Sequence, residues 1–153
     1  MKLKHIIIGK AKEKLTYIQT ADVIKSKGIK GDRYYYKKGT FNISQVDQNV
    51  REISIITTKS LDECNNRIKA DLNFLDLRRN LVIENLDYEI LKNKHFKIGT
   101  AIFKIVRTCP PCKYLSRLLE KDMMLALKYI GGYRATIIQS GVINIDDVVI
   151  VMN

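Results

Sequence analysis

The chain lacks the features that mark membrane proteins and small secreted proteins. It has 153 residues, with no tryptophan, two prolines, two histidines and three cysteines. Three cysteines are too few, and odd in number, for a secreted disulfide framework, so a reducing compartment, the cytoplasm, is expected. No apolar run approaches the roughly 20 residues of a membrane span. The apolar run at residues 6–8 is too short for a signal-peptide core. We therefore expect no membrane association.

Length and charge indicate one domain and an anionic ligand. A chain of 153 residues can bury a hydrophobic core without disulfide or metal cross-links, so residues 1–153 are predicted to form a single domain. Its 27 basic and 16 acidic residues give a formal net charge of +11, which admits nucleic acid or small anions as partners. The lysines are scattered, and neither a helix-turn-helix nor a zinc-finger pattern is present. We therefore do not expect nucleic acid as a partner.

Many short apolar runs, separated by turn residues, predict strands at 3–8, 51–57, 80–84, 96–99, 101–106 and 148–152, the last one buried. Helices are predicted at about 61–70, 113–120 and 123–130. Ser60 to Glu63 matches a capping box, Asp122 is a plausible cap and the glycines at 131–132 would end the last helix. Many strands with few helices favour a mainly β, α+β domain or a barrel over a doubly wound sheet.

The most informative segment is Cys-Pro-Pro-Cys at 109–112, where an extended run meets an amphipathic helix. A helix start offers unpaired N–H groups and a positive dipole end, which favour a thiolate, and Arg107 and Lys113 add positive charge. Cys112 is therefore the candidate nucleophile or soft metal ligand. The alternative is a buried small hydrophobe. Cys109, which ends the strand, is expected to be an accessory thiol.

Two other uses of this cysteine pair are weaker. A thioredoxin-like site needs a cis-proline loop facing the thiols, and the two prolines of the chain both lie inside the motif. A zinc site needs further ligands, whereas Cys64, His5 and His95 are isolated and far apart in sequence. A reversible disulfide between Cys109 and Cys112 remains an alternative at this spacing.

Two further clusters suit anions. Arg-Arg-Asn at 78–80 opens a predicted strand, and two guanidiniums beside an amide can bind a phosphate or carboxylate in a bidentate manner. The alternative is a solvated basic edge. Asp32 and Arg33 lie in a glycine-rich segment, 25–40, and either face a substrate or satisfy each other as an ion pair. The segment 28–41 is predicted to be a mobile loop over the site and not part of the core.

Taken in order, these motifs resemble the MOSC domain, named for the carboxy-terminal domain of molybdenum cofactor sulfurases. The similarity spans about residues 25–151. Two departures are Tyr34, where the family has a histidine, and Asp146-Asp147, where it has Gly-Asp. The matching segments are Gly28-x-x-Gly31-Asp32-Arg33, Lys38-Gly39-Thr40-Phe41, the strand that begins at Arg51, Arg78-Arg79-Asn80, Phe96-x-Ile-Gly99, Cys109-Pro-Pro-Cys112 and Gly131 to Ile143.

The resemblance implies a MOSC-like β-barrel with a few short helices and a site for the molybdenum cofactor, molybdopterin. By this resemblance Cys112 coordinates molybdenum, Arg78 and Asn80 contact the cofactor, and Arg51 is a further contact. Asp32 and Arg33 would belong to a substrate loop.

The implied activity is reduction of a small N-oxygenated substrate at the Cys112-ligated molybdenum. The chain lacks the fused domains of larger members, so an electron-donating protein would be a separate partner. The alternative is a non-catalytic carrier of cofactor, or of sulfur as a Cys112 persulfide received from a sulfur-donating protein.

Overall fold

The computed structural model describes residues 1–10, 14–38 and 51–153. Within these residues the chain forms short strands and five short helices. The strands are β1 Lys2–Ile8, β2 Thr16–Ile18, β3 Thr20–Ile24, β4 Gly28–Ile29, β5 Ile53–Thr57, β6 Leu81–Glu84, β7 His95–Ile98, β8 Ala101–Thr108, β9 Tyr133–Gln139, β10 Gly141–Asn144 and β11 Ile150–Met152. The helices are α1 Lys59–Ile68, α2 Phe74–Leu77, α3 Tyr88–Leu91, α4 Lys113–Leu119 and α5 Met123–Ala126.

The strands form one large and one small sheet. The large sheet has the order β11-β7-β8-β9-β5-β6-β1-β2, and the small one has the order β10-β3-β4. Most neighbours are antiparallel. β5 and β6 are parallel, with Ile55 opposite Leu81, because α1 and α2 carry the chain back between them. This crossover sends the start of β6 to the end of the sheet where the candidate site lies.

The central strands bury both of their faces. Ile55 belongs to the core cluster that includes the stacked rings of Phe96 and Phe103, whose centroids are 5.6 Å apart. Its neighbour Ile56 belongs to a second cluster beneath the helices, with Leu115 of α4. Because successive side chains of a strand point to opposite faces, such strands are continuous apolar runs. This is why the segments at 51–57 and 80–84 could be predicted as strands.

A mainly β, α+β domain with a few short helices is confirmed. The barrel, however, is not formed, because in the described part of the chain the large sheet ends at β11 and β2. A single bridge from Lys2 to Val148, with backbone hydrogen bonds between Leu3 and both Asp146 and Asp147, brings the end of the chain against β1. It does not complete a ladder. In the same described residues, no helix is long and apolar enough to cross a membrane.

The helix boundaries differ from the prediction in two places. α1 begins at Lys59 after Thr58, with no side-chain capping bond, so the capping box predicted at Ser60 is wrong; Ser60 is buried inside the helix. α5 ends at Ala126, before the predicted 130. Its predicted cap is confirmed, because the carboxylate of Asp122 accepts a hydrogen bond from the N–H of Leu125 at 3.0 Å.

The last strand was expected to be buried, and this is wrong. β11 lies at the edge of the large sheet, and Val148 and Ile150 are more than half exposed. The turn that precedes it keeps a left-handed residue without the usual glycine, since Asp146 has φ 72°. The neighbouring carboxylate of Asp147 accepts the N–H of Asn144 at 2.7 Å and stabilises the turn.

The glycine-rich segment was predicted to lie over the site outside the core, but its first part is buried in the core. Ile29 belongs to the main core, and Asp32, Arg33 and Tyr34 are each at most 5% exposed. Residues 39–41 of this segment lie outside the described residues. The segment is therefore a buried wall of the site up to Tyr34, and its described residues 36–38 are exposed.

Candidate functional site

A cavity of about 260 Å³ lies where β8 ends, α4 begins and the chain enters β6 and β9. It contains both cysteines of the Cys-Pro-Pro-Cys motif, five arginines and no carboxylate among its described lining residues. We call it the cysteine cavity. Its lining residues are Arg33, Tyr34, Arg78, Arg79, Arg107, Thr108, Cys109, Pro110, Pro111, Cys112, Tyr114, Leu115 and Arg134.

The two thiols have different surroundings. Cys109 follows β8 and is 6% exposed, and its N–H donates to the carbonyl of Gly132 at 2.8 Å. A Cβ at Gly131 would lie 2.3 Å from the carbonyl oxygen of Cys109, so this close approach requires a glycine. Cys112 is exposed and is the N-cap residue of α4, as predicted. The accessible thiol of the cavity is therefore Cys112.

Residues 109–112 form no helix, turn or bend, and Cys112 has extended backbone, with φ −129° and ψ 154°. Each proline disfavours helical backbone in the residue before it, so two prolines in succession favour a polyproline-like path. Three steps of such a path separate the two Cα atoms by about 9 Å. That distance exceeds the roughly 7 Å limit for a disulfide, which argues against a Cys109–Cys112 bond in this conformation.

Arg78 is the cation of the cavity that is best suited to bind an anion. It follows α2 in a left-handed conformation, φ 56°, which turns the chain into β6. Its guanidinium makes no hydrogen bond or ion pair within the described residues. Burial, and then repulsion by Arg33, lower the pKa of Arg78. Arginine stays protonated despite such a lowering of its pKa. Arg78 therefore carries a partly buried positive charge that a bound anion would stabilise.

Arg33 is held as a fixed wall of the cavity. Its guanidinium donates to the carboxylate of Asp32 at 3.0 Å and to the backbone carbonyl of Arg78 at 3.2 Å. The same carboxylate accepts the N–H groups of Gly9 and Tyr34, both at 3.2 Å. Of the two alternatives for Asp32 and Arg33, the ion pair is thus present, and Arg33 also reaches the cavity. Asp32 is buried and does not line the cavity.

The ring of Tyr34 lies close to two guanidiniums. The guanidinium carbons of Arg33 and Arg134 are 4.9 and 5.2 Å from its centroid, within cation–π range. Burial tends to lower the pKa of Arg134, but interactions and hydrogen bonds with Cys109 and Tyr34 outweigh burial and raise it. Arg134 therefore connects the buried thiol to the Tyr34 side of the cavity.

The remaining two arginines line the cavity differently. Arg79 donates from Nε to the carbonyl of Gly131 at 2.9 Å and from Nη1 to the carbonyl of Leu77 at 3.2 Å. It therefore joins the start of β6 to the glycine turn that supports Cys109. Arg107 is exposed near the mouth, next to an irregularity in the pairing of β8 with β9.

Two of the predicted cofactor contacts do not line this cavity. Asn80 is 1% exposed and lies behind it: its Oδ1 accepts the N–H and hydroxyl of Ser54 at 3.1 and 3.0 Å, and its Nδ2 donates to the carbonyl of Ile7 at 3.2 Å. Arg51 lies two residues before the start of β5 and is not among the lining residues of the cavity. The structure brings Arg33, Arg78 and Cys112 together, but not Asn80 or Arg51.

Sequence reasoning missed the roles of Tyr34, Arg79 and Arg134. Arg134 had one usable signal, since it is the charged residue of β9, a strand made mostly of apolar and β-branched residues. The contact of Tyr34 with Arg134 joins residues 100 positions apart, which no local pattern encodes. A single accessible thiol, that of Cys112, among guanidiniums suits a metal-bearing anion. No three His, Cys, Asp or Glu residues in 1–10, 14–38 and 51–153 are close enough to hold a metal ion together.

The sequence profile of the MOSC domain family matches residues 42–150, which is well over half of the chain. The chain belongs to the MOSC domain family. This family is associated with binding of the molybdenum cofactor. No curated protein sequence gives a significant match to this MOSC chain.

Solved structures show the same fold. The YuaD protein of Bacillus subtilis superposes with a TM-score of 0.75 at 16% identity, over 95% of this chain and 92% of that one. YiiM of Geobacillus stearothermophilus gives a TM-score of 0.70 at 15% identity, over 99% and 75%. YiiM of Escherichia coli gives 0.69 at 13% identity, over 100% and 70%. At these identities the likeness concerns the MOSC fold alone.

Proposed function

We propose that this MOSC protein binds the molybdenum cofactor in the cysteine cavity and reduces small N-oxygenated substrates. Cys112 would ligate molybdenum, and Arg78 would bind the anionic part of the cofactor. The observation that carries the proposal is the partly buried Arg78 guanidinium, without a hydrogen bond in the described residues, in one cavity with an exposed cysteine. A separate protein would supply the electrons.

The residues of the cavity fit such a group. A thiolate is a soft ligand, and guanidiniums bind phosphate in a bidentate manner. The volume of about 260 Å³ is near the lower end of ligand sites, which are typically about 300–1,000 Å³. The cavity would therefore enclose only part of the cofactor. Since Cys112 is exposed, a metal bound there would face solvent, where a substrate can approach.

Each residue has a distinct role in this proposal. Arg78 binds and orients the anion, while Arg33 and Arg134, fixed by Asp32, Tyr34 and Cys109, add positive potential without moving. Asn80 positions the Arg78–Arg79 segment against β5 and β1 and does not touch the ligand. The bound cofactor would supply the oxygen-removal chemistry, in which the substrate takes up two electrons and two protons and releases water.

Cofactor content tests the role of Arg78. The protein is expressed in a host that makes the cofactor, and pterin per polypeptide is measured. Arg78→Ala should lower pterin occupancy at least tenfold at limiting cofactor, because a charge-assisted contact contributes about 1.5–3 kcal/mol. Arg117→Ala is the matched control, since Arg117 is an exposed arginine of α4 outside the cavity. Unchanged pterin in Arg78→Ala contradicts the proposal.

A carrier of cofactor or sulfur is the second candidate, favoured by the exposure of Cys112, which leaves its sulfur open to a donor protein. Turnover of an N-hydroxylated compound with a reduced viologen dye distinguishes the two. Turnover by the loaded protein supports the reductase. A stoichiometric persulfide on Cys112 without turnover supports the carrier. A cytoplasmic location and a separate electron- or sulfur-donating protein remain predictions.

A further inference from the structure

A second cavity, of about 340 Å³, lies on the other side of Arg33. We call it the basic cavity. Its described lining residues are Lys10, Gly31, Arg33, Tyr36 and Lys38, with no carboxylate among them. The cofactor proposal gives this cavity no role, although its residues Gly31, Arg33 and Lys38 lie in segments that resemble the family. Its volume lies within the usual range for a small-molecule site.

The backbone brings the three cations of the basic cavity together. The N–H of Arg33 donates to the carbonyl of Gly9 at 2.8 Å, which places Arg33 beside Lys10, the next residue after Gly9. The N–H of Lys38 donates to the carbonyl of Arg33, also at 2.8 Å. The fold therefore fixes these three residues on one wall.

Gly31 lines this wall with its backbone. It has φ 93°, in the left-handed region that other residues rarely adopt, and it contributes no side chain to the cavity. A Cβ there would lie 3.3 Å from Cδ1 of Ile8, which is already a tight contact.

The charges of the basic cavity are not balanced within the described residues. Asp32 pairs with Arg33, but Lys10 and Lys38 make no ion pair there. Like charges held side by side repel, and an anion between them would offset that repulsion. An aromatic surface lies beside them, because Tyr36 also lines the cavity and is 51% exposed. Its ring makes a T-shaped contact with the ring of Tyr35, with centroids 5.0 Å apart.

We propose that the basic cavity binds a nucleoside phosphate, with the phosphate at Lys10 and Lys38 and the base on the ring of Tyr36. Lysine ammonium groups bind phosphate as point charges. Any nucleobase can stack on an exposed tyrosine ring, because stacking needs no hydrogen bonds to the base. Arg33 forms the wall between this site and the cysteine cavity. The site needs neither Cys112 nor Arg78, so it does not rest on the proposed function.

Titration calorimetry with AMP and with inorganic phosphate tests the assignment. AMP should bind the wild-type protein more tightly than phosphate does. Lys10→Ala/Lys38→Ala should weaken both ligands by about tenfold or more, as expected for losing charge-assisted contacts. The matched control is Lys94→Ala/Lys121→Ala, which removes the same charge from exposed lysines outside the cavity and should leave binding unchanged.

Tyr36→Ala separates the base from the phosphate. This variant should weaken AMP severalfold and leave phosphate unchanged. If AMP binds no more tightly than phosphate, or Tyr36→Ala has no effect on AMP, the nucleoside assignment is wrong. If AMP does not bind, or binds equally to the Lys10/Lys38 variant, the site itself is wrong. Arg78→Ala should retain AMP binding, so failure of the cofactor proposal is seen separately.

Discussion

Asn80→Ala should destabilise the protein even when no cofactor is bound. The side chain of Asn80 makes three buried hydrogen bonds, two to Ser54 and one to the carbonyl of Ile7. A buried hydrogen bond contributes about 1 kcal/mol net, so their loss should lower the free energy of unfolding by about 3 kcal/mol. For a domain of this size that corresponds to a Tm lower by about 6–12 °C.

The assay is urea unfolding of the cofactor-free protein at neutral pH. Asn66→Ala is the matched control, because Asn66 is exposed on α1, and it should stay within about 0.5 kcal/mol of wild type. A double-mutant cycle with Ser54→Ala should show coupling between the two sites, since they share hydrogen bonds. If Asn80→Ala is as stable as the control, Asn80 does not hold β6 to β5 and β1. A direct contact between Asn80 and the ligand would then be the better explanation.

Three further outcomes are expected. Gly132→Ala should cost at least about 2–4 kcal/mol in unfolding free energy, because its φ is 88° and a Cβ would lie 2.1 Å from a backbone carbonyl oxygen; near-wild-type stability would contradict this. A thiol reagent should modify the exposed Cys112 first and the buried Cys64 and Cys109 slowly, and oxidation should give no Cys109–Cys112 disulfide by mass spectrometry. Burial, then the neighbouring lysine, lower the pKa of His5 from 6.5, so its contribution to stability is present above about pH 6.5 and is lost as the pH falls through the folded pKa. His5→Gln should therefore lose less stability than wild type between pH 7.5 and 5.5, and an equal loss would refute the assignment.

Local patterns were sufficient for the elements whose stability is local or fully buried. The continuous apolar runs of β5 and β6 predicted strands because both of their faces pack in cores. The position of Cys112 at a helix start followed from the proline pair and the apolar spacing of α4. By contrast, the short helix α2 was missed although its signal was present, a capping box from Asn73 to Asp76.

Tertiary contacts explain the rest. β2 and β4 are two or three residues long and exist because their neighbours pair with them, as Ile6 does with Ile18. Asn80 was predicted to bind an anion beside two arginines, yet its side-chain amide oxygen is hydrogen-bonded to Ser54, 26 residues earlier. Tyr34 was placed in a surface loop, whereas its ring is covered by Arg33 and Arg134. The errors at Asn80 and Tyr34 share one cause, because each side chain has a partner distant in sequence, Ser54 and Arg134 respectively.

The molybdenum content of Cys112→Ser tests the central claim most directly. The variant is purified from a host that makes the cofactor, beside wild type and Cys109→Ser, and metal per polypeptide is measured. Because Cys112 is the accessible thiol of the cavity, molybdenum should fall to background in Cys112→Ser and be largely retained in Cys109→Ser. Equal molybdenum in wild type and Cys112→Ser, or an equal loss in both variants, would contradict Cys112 as the metal-binding residue.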